Sequence, residues 1–183
     1  HNPGRLVDSK NHHGESQLGS NQNMTYRSGI GIDVHALVKQ RPLILGGITI
    51  PFDKGLAGHS DGDVLIHSLI DAFLGGSGLG DIGTYFPSTN PQYENIQSTK
   101  LLTLTIDLLK SHHWSPKYVD ATILAERPVL RPFITEINHN LAKFIGIPID
   151  SINIKATTTD GLGFIGNSNG IACFTIVNIT KTR

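Results

Sequence analysis

The chain has 183 residues, 38% of them hydrophobic, enough for one compact core. Its 15 basic and 15 acidic side chains cancel, which excludes a general attraction to nucleic acid or to an anionic membrane surface and makes any anion site a local one. The single cysteine, Cys173, excludes an intrachain disulfide framework and a cysteine-based zinc knuckle, and no apolar run approaches the roughly 20 residues that span a bilayer.

Residues 1–24 are polar, include the pair His12-His13 and begin without methionine. A disordered leader or expression remnant is expected there, ahead of a single domain over 25–183. Ile30, Ile32 and Val34 alternate with Gly31 and Asp33, the pattern of a strand ending near Asp33 and His35. Leu43-Ile44-Leu45 and Ile48-Thr49-Ile50 flank Gly46-Gly47, which predicts a tight hairpin that Pro51 terminates. Ser60 and Asp63 resemble a capping box before an amphipathic helix through Val64, Leu65, Leu69, Ile70, Phe73 and Leu74, with Gly75-Gly76 as its stop. A second amphipathic helix carries Leu101, Leu104, Leu108 and Leu109 and ends near His112-His113, read as helix-end or surface residues. A strand over 118–124, a third helix closed by Gly146, and strands at 152–154 and 171–179 complete the order. The pattern is α/β (α+β): a mixed sheet with helices on one face.

Asp33 and His35, in Asp-Val-His, and His67, which closes the block from His59, offer one carboxylate and two imidazoles. This is the ligand set of an open zinc site, which leaves a position free for a substrate oxygen, whereas structural zinc is normally closed by four ligands. On the predicted helix Asp63 and Asp71 lie four residues before and after His67, so either carboxylate is a candidate to orient the free imidazole nitrogen; a solvated acidic face is the bland alternative.

Gly78-Leu79-Gly80-Asp81-Ile82-Gly83 matches Gly-x-Gly-x-x-Gly, yet it follows a helix, whereas a dinucleotide fingerprint joins a strand to a helix. It is read as a permissive loop carrying Asp81 beside the metal site. The run from Lys155 through Thr157, Thr158, Thr159 and Asp160 to Phe164 places a cation, hydroxyls and a carboxylate at a strand end. There turn amides and hydroxyls can hold phosphoryl oxygens, and Asp160 can ligate magnesium or manganese. Threonine-rich strand ends also arise from β-propensity alone.

Five blocks taken in order resemble the 2-C-methyl-D-erythritol 2,4-cyclodiphosphate synthase family of the non-mevalonate isoprenoid pathway. They are Gly31 to His35, His59 to His67, Leu79 to Gly83 with Phe86-Pro87, Lys155 to Thr159, and Gly170 to Cys173. The resemblance implies a homotrimer of ferredoxin-like subunits with active sites at the subunit boundaries. It implies a reaction in which the 2-phosphate of 4-diphosphocytidyl-2-C-methyl-D-erythritol 2-phosphate attacks the β-phosphorus and expels CMP. Asp33, His35 and His67 would hold Zn2+, with Asp33 and His35 also next to substrate. His59 and Thr158 would stabilise the transition state, and Ser60 would contact phosphate. Asp81 and Gly83 would bind the methylerythritol hydroxyls, with Phe86, Pro87, Ser88, Thr89 and Asn90 lining that pocket. Ala125, Pro128, Val129, Leu130 and Arg131 would take the cytidine from the neighbouring subunit, Thr157, Thr159 and Phe164 would flank Thr158, and Asp160 would bind Mg2+ or Mn2+ on the diphosphate. The chain departs from the family pattern at Val129, where lysine is common, at Asp160, where glutamate is usual, and at Asn167 and Asn169. A zinc-dependent phosphoester hydrolase and a non-enzymatic trimeric binding module are the rival classes. The resemblance and the polar leader together point to a plastid-type organelle, including the apicoplast, with the bacterial cytoplasm as the alternative.

Overall fold

The computed structural model describes residues 23–182. The expected leader therefore lies outside the described residues except for Asn23 and Met24, and Met24 already belongs to the first strand. In chain order the strands are β1 (Met24–Lys39), β2 (Leu43–Leu45), β3 (Ile48–Ile50), β4 (Lys54–Leu56), β5 (Trp114–Leu124), β6 (Ile152–Thr157) and β7 (Gly170–Thr182). The helices are α1 (Val64–Ser77), α2 (Ile82–Tyr85), α3 (Ser98–Ser111), α4 (Ile134–Ile145) and α5 (Gly163–Gly166).

The main sheet runs β4-β1-β7-β5-β6, and β2 and β3 form a separate hairpin. Within the sheet β5 and β6 are parallel and the other neighbours antiparallel. A parallel pair needs a crossover, and α4 supplies it. The mixed ferredoxin-like sheet with helices α1, α3 and α4 packed on one face agrees with the expectation from sequence.

β1 does not stop at the candidate ligands but continues to Lys39, because Leu37, Val38 and Lys39 pair with β4. Its inward positions include Gly29 and Gly31, and a Cβ on either would lie 1.8 Å from a backbone carbonyl oxygen of α1, that of Ala72 or Ser68. Only glycine permits so close an approach of helix to strand. The hairpin turn is Gly46-Gly47 as read, with both residues at positive φ, 61° and 76°.

Both ends of α1 differ from the sequence reading. Its N-cap is Asp63, whose side chain accepts from Ile66 N–H, and Ser60 lies outside the helix. Gly75-Gly76 does not end it. The helix runs on to Ser77 and is capped by Gly78 in the left-handed region, while Gly76 packs against Gly29 of β1, where a Cβ would sit 3.1 Å from the Gly29 nitrogen. Nor is α1 simply amphipathic: Leu65, Ile66, Leu69, Ile70, Phe73 and Leu74 are all fully buried, and only the stripe His67, Asp71 and Gly75 has access to solvent. His112 and His113 end α3 at the surface, as expected.

The opposite sheet face is bare. Ile30 (63% exposed), Ile32 and Val34 of β1, Tyr118 of β5, and Phe174 and Ile176 of β7 all point away from the helices.

Candidate active site

Asp33 and His35 project from the same side of β1, being two residues apart, and α1 brings His67 over them. His35 Nε2 lies 2.7 Å from Asp33 Oδ2, His67 Nδ1 lies 3.2 Å from the same oxygen, and the two nitrogens are 3.2 Å apart. Metal–ligand bonds of about 2.0–2.1 Å place tetrahedral ligand atoms about 3.3 Å from one another, so this spacing fits a divalent ion with little movement. Among the described residues this trio alone gathers three metal-binding side chains.

The surroundings fix which atoms face the centre. His35 Nδ1 donates to the Ala57 carbonyl, a group that can only accept, which leaves Nε2 for the metal side. Burial disfavours ionisation of Asp33, but the hydrogen bond from His35 and the nearness of both imidazole rings outweigh it and hold the carboxyl well below the ordinary carboxylate range. Burial likewise works against protonation of His35, and Asp33 overcomes it, raising the His35 pKa.

The reading that Asp63 or Asp71 orients His67 is overturned. Asp63 is fully buried and spends both oxygens on backbone N–H groups: Gly46 at 3.0 Å, Gly47 at 2.7 Å and Ile66 at 3.0 Å. Asp71 accepts from Ile82 N–H at 2.8 Å. His67 Nε2 instead meets two hydroxyls, Ser98 Oγ at 2.9 Å and Ser60 Oγ at 3.0 Å. Serine 98 lies 31 residues beyond His67, so no local spacing pointed to it.

The trio opens into a cavity of about 250 Å³ that His59, Ser60, Ile82, Gly83, Phe86, Ser88 and Tyr93 also line. Tyr93, absent from the sequence reading, meets Phe86 edge to face at 5.5 Å. His59 donates through Nε2 to the Asn90 carbonyl at 3.1 Å, and the Asn90 side chain caps the turn at Pro91–Tyr93. Asp81 does not line the cavity. It caps α2, accepting from Thr84 N–H at 2.9 Å and the Thr84 hydroxyl at 2.7 Å, and so presents its neighbours Ile82 and Gly83 to the cavity. Pro87 and Thr89 lie in the connection between Ser88 and α2 or Asn90 without lining the cavity.

A second cavity, of about 310 Å³, is bounded by Ala125, Glu126, Pro128, Val129, Leu130 and Arg131 on one side and Ala156, Thr157 and Thr158 on the other. The predicted cytidine loop and the first two threonines are therefore neighbours, but within this chain they line a different cavity from the metal trio. The Thr158 hydroxyl donates to Asp160 Oδ1 at 3.2 Å, and Thr159 spends its hydroxyl on the Leu162 carbonyl at 2.7 Å. Asp160 holds a positive φ of 52°, a left-handed conformation that aspartate adopts more readily than most residues other than glycine, and its side chain is exposed. Phe164, on α5, is 52% exposed. The sequence reading gave no role to Glu126, whose Oε2 accepts from Thr159 N–H at 3.3 Å and so ties the threonine turn to the loop that carries Ala125 to Arg131.

The family model described as the YgbB family matches residues 26–180. The chain belongs to that family. A 2-C-methyl-D-erythritol 2,4-cyclodiphosphate synthase of Clostridium perfringens is 48% identical over 155 residues, covering 85% of this chain and 99% of the relative. Among solved structures, the bifunctional IspDF of Campylobacter jejuni superposes with a TM-score of 0.83 at 40% identity, covering 86% of this chain and 43% of that longer one. IspF of Plasmodium falciparum, in a CDP complex, superposes at 0.75 with 29% identity, covering 86% and 97%. Within the YgbB frame the glycine-rich Gly78–Gly83 segment is settled as a helix-to-helix connection, not a dinucleotide fingerprint. No helix among the described residues is long and apolar enough to cross a membrane.

Proposed function

We propose that the chain is a 2-C-methyl-D-erythritol 2,4-cyclodiphosphate synthase that uses Zn2+ at Asp33, His35 and His67. The observation that carries this is an intact, open Asp/His/His trio on the floor of a cavity, in a chain matching a synthase of that name over nearly its whole length. When bound, zinc would supply Lewis acidity toward a phosphate oxygen, and magnesium or manganese at Asp160 would neutralise the diphosphate.

The 2-phosphate of the substrate is its own nucleophile. One P–O bond forms at the β-phosphorus, the bond to the α-phosphate oxygen breaks, and CMP leaves with that oxygen, so no water is consumed. The protein has to position, shield and neutralise, and needs no covalent step. His59 and Ser60 reach phosphate oxygens from the metal cavity, and Thr158, beside Thr157, does so from the other side. Gly83, Phe86 and Ser88 hold the methylerythritol, with Asp81, Pro87, Thr89 and Asn90 shaping that wall. The backbone of Ala125 to Arg131 reads the cytosine edge, and Arg131 supplies a cation beside Val129.

A catalytic unit built from both cavities requires the metal half of one subunit to meet the threonine half of the next. The bare apolar sheet face, from Ile30 to Ile176, supports a homotrimer that buries it. The bacterial source of the 48%-identical relative favours the bacterial cytoplasm over a plastid-type organelle.

Phosphorus NMR with the cytidyl diphosphate substrate and magnesium, before and after zinc removal and restoration, tests the proposal. Zinc-dependent appearance of CMP and a cyclic diphosphate is the expected outcome, with Asp33→Ala inactive. Linear phosphate products would identify a hydrolase instead, and zinc-loaded protein without turnover a binding module.

A further inference from the structure

The His59–His67 block holds a second carboxylate that the reaction as described does not use. Asp63 caps α1, whereas Asp61 lines a separate cavity of about 290 Å³ and turns its oxygens to Ser98. Asp61 Oδ2 accepts from Ser98 N–H at 2.9 Å, and Oδ1 accepts from the Ser98 hydroxyl and from Asp63 N–H at 3.1 Å. Ser98 is fully buried, and its Oγ is also the atom 2.9 Å from His67 Nε2.

The direction of each bond follows from counting hydrogens. A serine hydroxyl has one, and a carboxylate only accepts, so the Ser98 hydrogen goes to Asp61. Toward His67, Ser98 Oγ is then left with lone pairs only. The hydrogen between them has to sit on His67 Nε2, which makes Nδ1, the nitrogen facing Asp33 and His35, the one with a free lone pair.

Ser60 cannot make this selection. Its Oγ lies 3.0 Å from the same Nε2 and accepts from Gly62 N–H at 3.3 Å, but no acceptor among the described residues claims its hydrogen. Unaided, that hydroxyl could rotate to serve either tautomer of the ring. With Nε2–H enforced by Ser98 and shared between the two serine oxygens, both Ser60 lone pairs accept, and its hydrogen is freed for an anion in the metal cavity, which Ser60 lines.

We propose that Asp61 and Ser98 are positioning residues for the reaction: through Asp61···Ser98···His67 they hold His67 in the Nε2–H tautomer that presents Nδ1 to the metal. The arrangement does for this histidine what a carboxylate or carbonyl partner does for metal-binding histidines generally, with a serine interposed. It rests on the reading of Asp33, His35 and His67 as metal ligands.

The test is long-range proton–nitrogen correlation NMR of the zinc-stripped protein labelled in its imidazole nitrogens, at a pH where the ring is neutral, alongside zinc affinity by chelator competition. His67 should show the Nε2–H pattern in the unsubstituted protein. Ser98→Ala should give a mixed or Nδ1–H pattern and weaken zinc by roughly 10–100-fold, and Ser98→Thr should restore both. An Nδ1–H pattern in the unsubstituted protein overturns the proposal however the variants fold. So does a folded Ser98→Ala protein with unchanged tautomer and affinity. An unsubstituted protein that takes up no zinc at all defeats the metal reading itself, a failure distinct from the wrong tautomer with zinc bound.

Discussion

His35 donates to Ala57 through Nδ1 and stands 2.7 Å from Asp33 through Nε2, so a divalent ion that takes Nε2 displaces a hydrogen from a ring whose pKa lies above its ordinary 6.5. Metal binding near neutral pH should therefore release a fraction of a proton per site, shrinking as pH rises through the elevated value, and affinity should fall on acidification. Calorimetric titration of zinc in buffers of different ionisation enthalpy reads this directly, and a binding heat independent of buffer would contradict it. The same two groups set the pH response of zinc-stripped protein. His35, with its raised pKa, contributes stability fully present below 6.5 and lost as pH climbs through the folded value. Asp33, with its lowered pKa, contributes stability present above 3.8 and lost as pH falls toward the folded value. Thermal unfolding of the stripped protein should peak between those limits as far as these groups govern it. Cys173 takes no part: it is fully buried, and burial pushes its thiol up to about 11.

At the scale of elements, the pairing of α1 with β1 assembles the trio, and it depends on bare backbone. Gly31→Ala would drive a methyl group to 1.8 Å from the Ser68 carbonyl oxygen, one turn of helix from His67 or less. Overpacking that the backbone must relieve costs about 3 kcal/mol, so the urea midpoint should drop and zinc affinity fall with it as His67 is lifted from Asp33. A variant with wild-type unfolding would show the helix to be freer than the contact implies. The elements legible in the sequence were those with local signals: the hairpin from Gly46-Gly47, α4 from its apolar period and Gly146, and β5 and β7 from their alternation. β4, three residues with a central glycine, is too short to show a period. The ends of α1 were misplaced because a glycine pair reads as a stop signal, while here Gly76 answers to a strand 47 residues earlier in the chain. In the site, the trio and the Ala125–Thr158 wall were visible through residue chemistry and family resemblance. Asp61, Ser98 and Glu126 were not, since the contacts that give them roles join distant segments and leave no spacing to read, and Tyr93 was not because its contact with Phe86 crosses an irregular connection with no period.

For the whole molecule, the outward residues Ile30, Ile32, Val34, Phe174 and Ile176 form a continuous apolar strip across the adjacent strands β1 and β7. A solvated monomer rarely carries such a strip on the centre of a sheet. Ile32→Glu should dissociate the proposed trimer, moving the mass from light scattering to that of one subunit, and should abolish cyclisation while each subunit keeps its zinc. An active monomer would place the complete site within a single chain.

The contact between α1 and β1 also governs how the enzyme can drift. Where two elements meet through side chains, a substitution is absorbed by neighbouring rotamers, and the spacing between the elements wanders over generations. Main chain resting on main chain at Gly29 and Gly31 has no rotamers to adjust. The separation of His67 from Asp33 and His35 is thus insulated from turnover elsewhere in the core, and the hydrophobic residues around α1 are free to exchange while the metal-binding geometry stays constant.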